Sequence, residues 1–417
     1  MRYVLAVLTA LGVAACADST AQPAPSTTTM VSTTTTIRPD DGRLTIGVVS
    51  PRGGANAELG ASVRAGIDLA VDDINRAGGV NGHDVVTVQR DEGDNAAATA
   101  VAVQDLVQLG VDAIIGPTSS LNVLGTLRTT VRAGILSCSP TATAMSLDNF
   151  PADNLFFRTI ASDSLQARAI ARLVEQTGSD TAAVVYLDDA YGRPFADEVQ
   201  RLLQTQGTSI ALAMGVDGSE TSLQQAIDEV VAQRPPVVVV VADASTGPGI
   251  ITAIDTAAIG LRPTFVVNDQ LRRPSSQSAP LSGSLAARVV GSSPVAFPPA
   301  PFLDQLRTVA PDTTGVFAVN AFDCVNTIAL AAQSTGSSNP RVFATSVSAV
   351  TDNGSSCASF STCARYLAAG RNIDYDGPNG TLTLNRRGVV TNASFDQFGF
   401  DDSGRDVGAG TVTVASG

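Results

Sequence analysis

Residues 44–89 read LTIGVVSPRGGANAELGASVRAGIDLAVDDINRAGGVNGHDVVTVQ. The stretch opens on a short apolar strand, Leu44 to Val49, and closes on a second strand-like run, Val85 to Gln89. Between them Val63, Ile67, Ala70, Val71 and Ile74 recur at helical spacing, and Gly78-Gly79 stops the helix. Strand, helix, strand is the repeating unit of a parallel sheet.

The alternation continues. A helix from Ala96 to Leu109 ends at Gly110 and precedes the strand Val111–Ile115; a helix from Leu121 to Arg132 ends at Gly134 and precedes the strand Ile135–Ser137. After Phe156-Phe157-Arg158-Thr159 the pattern starts afresh, with helices at Leu165–Glu175, Ala196–Gln206, Leu223–Ala232 and about Ile250–Ile259. The strands among them are Ala182–Leu187, Ile210–Met214, Val237–Val241 and Thr264–Val267. Continuous apolar strands between helices mean parallel sheets covered on both faces. The fold class is therefore α/β, and two successive runs mean two Rossmann-like lobes.

The chain's start says where these lobes work. Arg2, the apolar run Tyr3 to Val13 and the small residues before Cys16 have the form of a secretory signal, too short to span a bilayer. Val13-Ala14-Ala15-Cys16 resembles the bacterial lipobox, in which Cys16 becomes the lipidated first residue; a plain signal with an incidental cysteine is the alternative. Residues 17–42 are mostly Ala, Ser, Thr and Pro and have too little apolar surface to order, so they are expected to form a tether. Stable anchoring on the outer face of a membrane then needs a multiply acylated cysteine.

The 417 residues carry 26 Lys and Arg against 39 Asp and Glu, a net charge of −13, which excludes a basic nucleic-acid surface and suits a soluble exported domain. Besides Cys16 there are Cys138, Cys324, Cys357 and Cys363. An even count in an exported chain reads as two possible disulfides, with three connectivities open. Cys357 and Cys363 are close enough for a local staple, which by elimination leaves Cys138 with Cys324; a zinc site is the rival, but the single histidine, His83, and the cysteine spacings do not suit one.

Ligands of open α/β sheets lie beyond the carboxyl ends of the strands. Those ends are Ser50–Gly53, Gly116–Ser120, Ser139–Thr143, Asp188–Gly192, Asp243–Ser245 and Asn268-Asp269, rich in hydroxyls with isolated acids and one aromatic residue. Ser120 opens a helix and is expected to cap it, where free N–H groups would receive an anion such as a ligand carboxylate.

These segments carry a family resemblance. Asp72-Asp73-Ile74-Asn75-Arg76-Ala77-Gly78-Gly79-Val80-Asn81-Gly82, Gly116-Pro117-Thr118-Ser119-Ser120, Ser139-Pro140-Thr141-Ala142-Thr143, Asp189-Ala190-Tyr191-Gly192, Ala321-Phe322-Asp323 and Asp374–Pro378 resemble the branched-chain amino-acid type of periplasmic binding protein, the substrate-receptor lipoprotein of an ATP-driven importer. The resemblance covers essentially everything after Asp41. It implies two lobes joined by a three-strand hinge, with residues 43–159 and 291–374 in one and 160–290 and 375–417 in the other. The crossings fall near Thr159–Ser162, Gly291–Ala296 and Asp374–Gly377. It implies that Ser120, Thr141, Ala142 and Thr143 hold the α-carboxylate and α-amine of an amino acid or related amide. Asp269 then takes the ammonium and Tyr191 leans over the ligand; the bland alternatives are a solvated turn acid and an exposed ring. Leu59 and Ala244 stand where the resemblance expects aromatic residues, so the ligand class is left open. It further implies a monomer that hands its solute to permease subunits, without cofactor or metal.

Three other classes are weighed. His83 in the turn Asn81–Asp84 lacks partners for catalysis, and no G-x-S-x-G, Walker A or H-E-x-x-H pattern occurs. A receptor that signals to a membrane kinase would have the same binding lobes. An envelope scaffold would lack a converging site.

Overall fold

The computed structural model describes residues 40–272, 281, 283–380 and 382–416. Cys16, the expected leader and most of the expected tether lie outside the described residues.

Strand β1 (Thr45–Ser50), helix α1 (Ala57–Arg76) and strand β2 (Val86–Asp91) form the first crossover, with β1 and β2 parallel. Helix α1 stops where the backbone demands glycine. The Gly79 N–H donates to the Ile74 carbonyl at 3.0 Å. Gly79 holds φ +74°, and a Cβ there would meet the His83 carbonyl oxygen at 2.1 Å. Helix α2 (Ala96–Leu109), β3 (Ala113–Ile115), α3 (Ser120–Ala133), β4 (Leu136–Ser139) and β5 (Phe156–Arg158) follow. The five strands lie in the order β2-β1-β3-β4-β5, all parallel.

A second run comprises α4 (Asp163–Gln176), β6 (Thr181–Leu187), α5 (Gly192–Thr205), β7 (Ser209–Val216), α6 (Glu220–Gln233), β8 (Val237–Val241), α7 (Gly247–Ala257), β9 (Thr264–Val267), α8 (Gly283–Ala286) and β10 (Val289–Pro294). The five valines of β8 are at most 1% exposed, as a strand covered on both faces must be. The chain continues through α9 (Ala300–Val309), α10 (Ala318–Thr335), α11 (Pro340–Phe343), β11 (Ser355–Cys357), α12 (Phe360–Ala368) and β12 (Ile373–Tyr375). It closes with β13 (Asn392–Phe400) and β14 (Asp406–Ala415).

The second sheet departs from the expectation of parallel pairing throughout. Its order is β14-β13-β10-β9-β8-β6-β7, and β13 pairs antiparallel with both β10 and β14. Periodicity hides β13 because it is covered on both faces: Phe395 packs in the cluster of β1 and α10 and Phe398 in that of β8 and β9, so apolar and polar residues do not simply alternate. The sheet boundaries also differ from the expected crossings. β10 stays in the second sheet to Pro294. Leu382, Leu384 and Val390 still pack in the same apolar cluster as β1 and α10, which also takes in Leu165, Phe395, Val412 and Val414. The chain therefore joins the second sheet at Asn392 rather than near residue 375.

Both disulfides form as paired above. Cys138 in β4 joins Cys324 in α10 with Cα atoms 5.9 Å apart, and Cys357 joins Cys363 with Cα atoms 5.5 Å apart. The first closes a separation of 186 residues and the second only 6. The unfolded chain loses far more freedom to the long link. Replacing Cys138 and Cys324 together by serine should destabilise the protein by about 3–5 kcal/mol, and replacing Cys357 and Cys363 by clearly less. Unfolding midpoints without reductant check the order of the two losses.

Candidate functional site

The carboxyl ends of β3 and β4 meet in a braced pair of loops. Glu92, 2% exposed, anchors them: its Oε2 accepts from the Thr118 N–H at 2.9 Å and the Thr118 hydroxyl at 2.7 Å, and its Oε1 from Asn122 Nδ2 at 2.7 Å. The Thr141 hydroxyl donates to the Thr118 carbonyl at 2.6 Å. The Ala142 N–H donates to Ser139 Oγ, and its carbonyl accepts from Arg158 Nη1, both at 3.1 Å. Ala142 thus spends these backbone groups on the loop itself.

Helix α3 is capped differently from the expectation. Ser119, in extended conformation, accepts the Asn122 N–H at 3.1 Å and is the N-cap. Ser120 is the first helical residue, and its Oγ accepts the Ala144 N–H at 3.2 Å. Of two adjacent serines, the one with extended φ and ψ makes the cap, a choice that the pair's sequence does not reveal.

The other wall comes from the second sheet. Tyr191 precedes α5, stands edge-on to Phe195 with centroids 5.8 Å apart, and its hydroxyl accepts from Asn268 Nδ2 at 3.2 Å. Asp269 begins a single 3₁₀ turn just after β9. Its Oδ1 accepts from Gln166 Nε2 at 2.9 Å, and the same nitrogen donates to the Ser292 carbonyl at 2.7 Å.

Helix α4 links the walls through a residue that the sequence reading missed. Asp163 is 2% exposed. Its N–H donates to the Thr143 carbonyl at 2.9 Å, and the Thr143 hydroxyl nearby favours its ionised form. Asp163 Oδ1 nevertheless has no partner, and neither has Gln166 Oε1 one turn later. Burial first, then the charge of Asp269, pushes the Asp163 carboxyl up to about 7, against the opposing pull of Thr143 and Arg158. Burial likewise raises Asp269, and burial followed by the charges of Asp269 and Asp163 raises the Tyr191 phenol. Arg158 is fully buried but engaged, pairing with Asp148 and bonding the Ala142 and Ala144 carbonyls. Burial lowers it to about 10.

A cavity of about 270 Å³ lies between these walls, bounded by Ala144–Ser146, Asp163, Ala190, Tyr191, Pro194 and Phe195. Of the expected site residues Tyr191 lines this cavity, beside Asp163; Asp269 lines a separate one of about 220 Å³, and Ser120, Thr141, Ala142 and Thr143 line neither. The available signal for Asp163 was its place just after the first expected crossing. Leu59 and Ala244 line neither this cavity nor the one that adjoins Asp269. His83 is an exposed turn residue whose backbone pairs with Val80. A larger cavity of about 660 Å³, between Ser334 and Arg386, shares no lining residue with this site. Among the described residues no group of three or more His, Cys, Asp or Glu is placed to hold a metal ion, and no helix is long and apolar enough to cross a membrane.

Two α/β sheets whose carboxyl ends face a polar cleft define a solute-receptor type of fold. The chain belongs to the periplasmic binding protein family, whose model matches residues 43–394. Membership carries an extracytoplasmic location. The chain is 27% identical over 358 residues to the chemotactic signal transduction system substrate-binding protein BasB of Halobacterium salinarum, covering 82% of this chain and 83% of that one. It is 24% identical over 365 residues to the leucine-, isoleucine-, valine-, threonine- and alanine-binding protein of Pseudomonas aeruginosa, covering 84% and 88%. Among solved structures, an ABC transporter substrate-binding protein of Desulfitobacterium hafniense in complex with Leu superposes with TM-score 0.66 at 21% identity, over 88% of this chain and 99% of that one. The branched-chain amino-acid transporter substrate-binding protein LivJ of Streptococcus pneumoniae, in complex with isoleucine, gives 0.64 at 19% identity over 89% and 99%.

An acid whose folded pKa is raised holds its proton in the fold to higher pH than in the unfolded chain, so its contribution to stability falls as pH climbs from near 4 to past 7. Asp163→Asn should therefore raise the unfolding midpoint of the ligand-free protein at pH 8, at roughly 2–4 °C for each kcal/mol recovered. At pH 4 the gain should be small. Equal shifts at both values would mean that Asp163 is not the titrating group.

Proposed function

We propose that this protein is a solute receptor that captures an amino acid or related amide between its sheets and passes it to the permease of an ABC importer. The observation that carries the reading is Asp163 Oδ1, buried without a partner beside Asp269. A buried carboxylate oxygen without a donor, in the field of a second acid, calls for a cation, and an ammonium brings both charge and N–H groups. Ser120 and Thr143, near the start of α3, suit the carboxylate at the other end of the same ligand. Tyr191 covers it.

Two lobes move about the crossings in this reading. The first takes residues 43–159 and 291–374 and the second 160–290 and 375–417, with the joins adjusted to Pro294 and Asn392, where strands change sheets. Ligand contacts to both walls exist together only when the cleft is shut, so binding favours closure and gives the permease a shape to recognise. Lipidated Cys16 would hold the monomer at the membrane through residues 17–42. The similarity to BasB favours one second reading, in which the loaded receptor signals rather than feeds a permease. Solute uptake in a deletion strain separates the two: import falls in the first case and only the response to the solute is lost in the second.

Thermal unfolding against a panel of leucine, isoleucine, valine, threonine, alanine and phenylalanine tests the capture itself. A bound amino acid at a hundredfold excess over Kd should add about 2.7 kcal/mol. That gain should largely vanish in Asp269→Asn and fall in Ser120→Ala. A panel in which nothing shifts the midpoint rejects the reading.

A further inference from the structure

We propose that the hinge carries a proton-dependent latch: a protonated Asp323 donates to Asn392 across a cavity where the three joins between the sheets meet, and loss of that proton frees the joint. The inference rests on the reading of two lobes that move about these joins. The cavity measures about 250 Å³ and is bounded by Thr159 and Ala161 of the first join, Pro294 of the second and Asn392 of the third, with Asp323 of α10 beside them. Helix α10 holds the first two joins directly. Asn320 Nδ2 donates to the Thr159 carbonyl at 2.8 Å, and the Thr159 hydroxyl to the Asn320 carbonyl at 2.7 Å. The Phe317 N–H, just before the helix, donates to the Ala296 carbonyl at 2.7 Å. Among the described residues no hydrogen bond joins α10 to Asn392, where the chain enters β13.

The groups left at this gap lack a donor. Asn392 Oδ1 is buried without a partner. Asp323 is 4% exposed, and its Oδ1 accepts the Tyr375 hydroxyl at 2.7 Å. Its Oδ2 accepts no hydrogen bond among the described residues. Two acceptor oxygens on one cavity cannot bond each other, whereas a proton on Asp323 turns one of them into a donor. The carboxyl is also held in place by bare backbone. Gly377 has φ +67°, and a Cβ there would meet Asp323 Oδ1 at 2.5 Å. Burial pushes the Asp323 carboxyl up to about 7 against the pull of the Tyr375 hydrogen bond, so the proton is held below neutrality and lost above it. Tyr375 is the titratable group in contact with it, and Asp376 shares its cavity. On α1, which packs along α10, Arg64, Asp68 and Asp72 act on one another. Arg341 of α11 and Arg365 of α12 are exposed, and β3 and β4 carry no charged residue.

Paired spin labels, one on each lobe of the full ligand-free chain, test this by the distance between them at about pH 5.5 and about pH 8.5. The wild-type distance should differ between the two. Asp323→Asn keeps a donor at every pH, so it should hold the acid-side distance in alkali. Asn392→Ala removes the acceptor and should hold the alkaline-side distance in acid; the position is only half-buried, so this arm stands even where Asp323→Asn does not fold. Tyr375→Phe removes a bond that favours ionisation and should move the wild-type transition to higher pH. The Asp163 carboxyl is not shifted by Asp323, so any response that it causes persists in every variant. The same pH response in wild type, Asp323→Asn and Asn392→Ala, or none in the wild type while leucine or isoleucine moves the labels, overturns the latch and leaves the two lobes standing. If neither pH nor any amino acid of the panel moves the labels, the two-lobe reading fails and the latch with it.

Discussion

Asp163 is buried with one carboxylate oxygen unpartnered, and the charge of Asp269, which accepts from Gln166 and Gln270, adds to the cost of ionising it. Desolvated like charges are costly, and a protein under selection for stability alone would replace one of them by a neutral group. Here the surroundings help only in part. Gln166 serves Asp269 and Thr143 serves Asp163, while the buried guanidinium of Arg158 is committed to Asp148 and two carbonyls. The deficit lies at the point where the ends of the two sheets face each other, and the rest of the architecture serves to put it there.

That placement follows from where the chain crosses. β5 ends at Arg158 and α4 begins at Asp163, so the first passage between sheets is immediately followed by the unsatisfied acid. The passage is tied down on both sides. The Ser162 hydroxyl donates to both oxygens of Asp148 and accepts the Ser164 N–H as the cap of α4. The Asn320 side chain donates to the Thr159 carbonyl at 2.8 Å, and the Thr159 hydroxyl to the Asn320 carbonyl at 2.7 Å. In the proposed reading recognition and hinge share one helix turn, a direct way for occupancy to be felt by both lobes.

Much of this was legible in the sequence. The strands from β1 to β9 are apolar runs punctuated by helices with clear stops, and such runs admit few other structures. Spacing pointed to the Cys357–Cys363 staple and left the Cys138–Cys324 link open until the fold placed β4 beside α10; Ser120, Thr143, Tyr191 and Asp269 are expectations from strand ends and resemblance. What escaped has physical causes. β13 escaped because it is covered on both faces, Phe395 packing on one and Phe398 on the other. The cap of α3 escaped because Ser119 and Ser120 differ only in backbone conformation. Asp163 escaped because Ala161-Ser162-Asp163-Ser164 reads as an ordinary helix start, where an acid is welcome near the positive end of the helix. Its burial is a tertiary property.

The deficit also bears on how an empty receptor can wait for its ligand. With the Asp163 carboxyl raised to about 7, the unoccupied cleft near neutrality limits its charge by keeping a proton on one of its two acids for part of the time. That proton satisfies charge on one oxygen but spans nothing. In the proposed reading an ammonium beside Asp163 and Asp269 would replace it and add N–H donors directed at more than one acceptor, which a single proton does not. Exchanging a proton for an ammonium costs less than ordering two fully ionised acids around empty space, so the site can be built before the ligand arrives. Preformed acceptors then leave the energy of capture to be spent on bringing the second wall across, and the charge that destabilises the empty fold becomes the attraction that holds the loaded one shut.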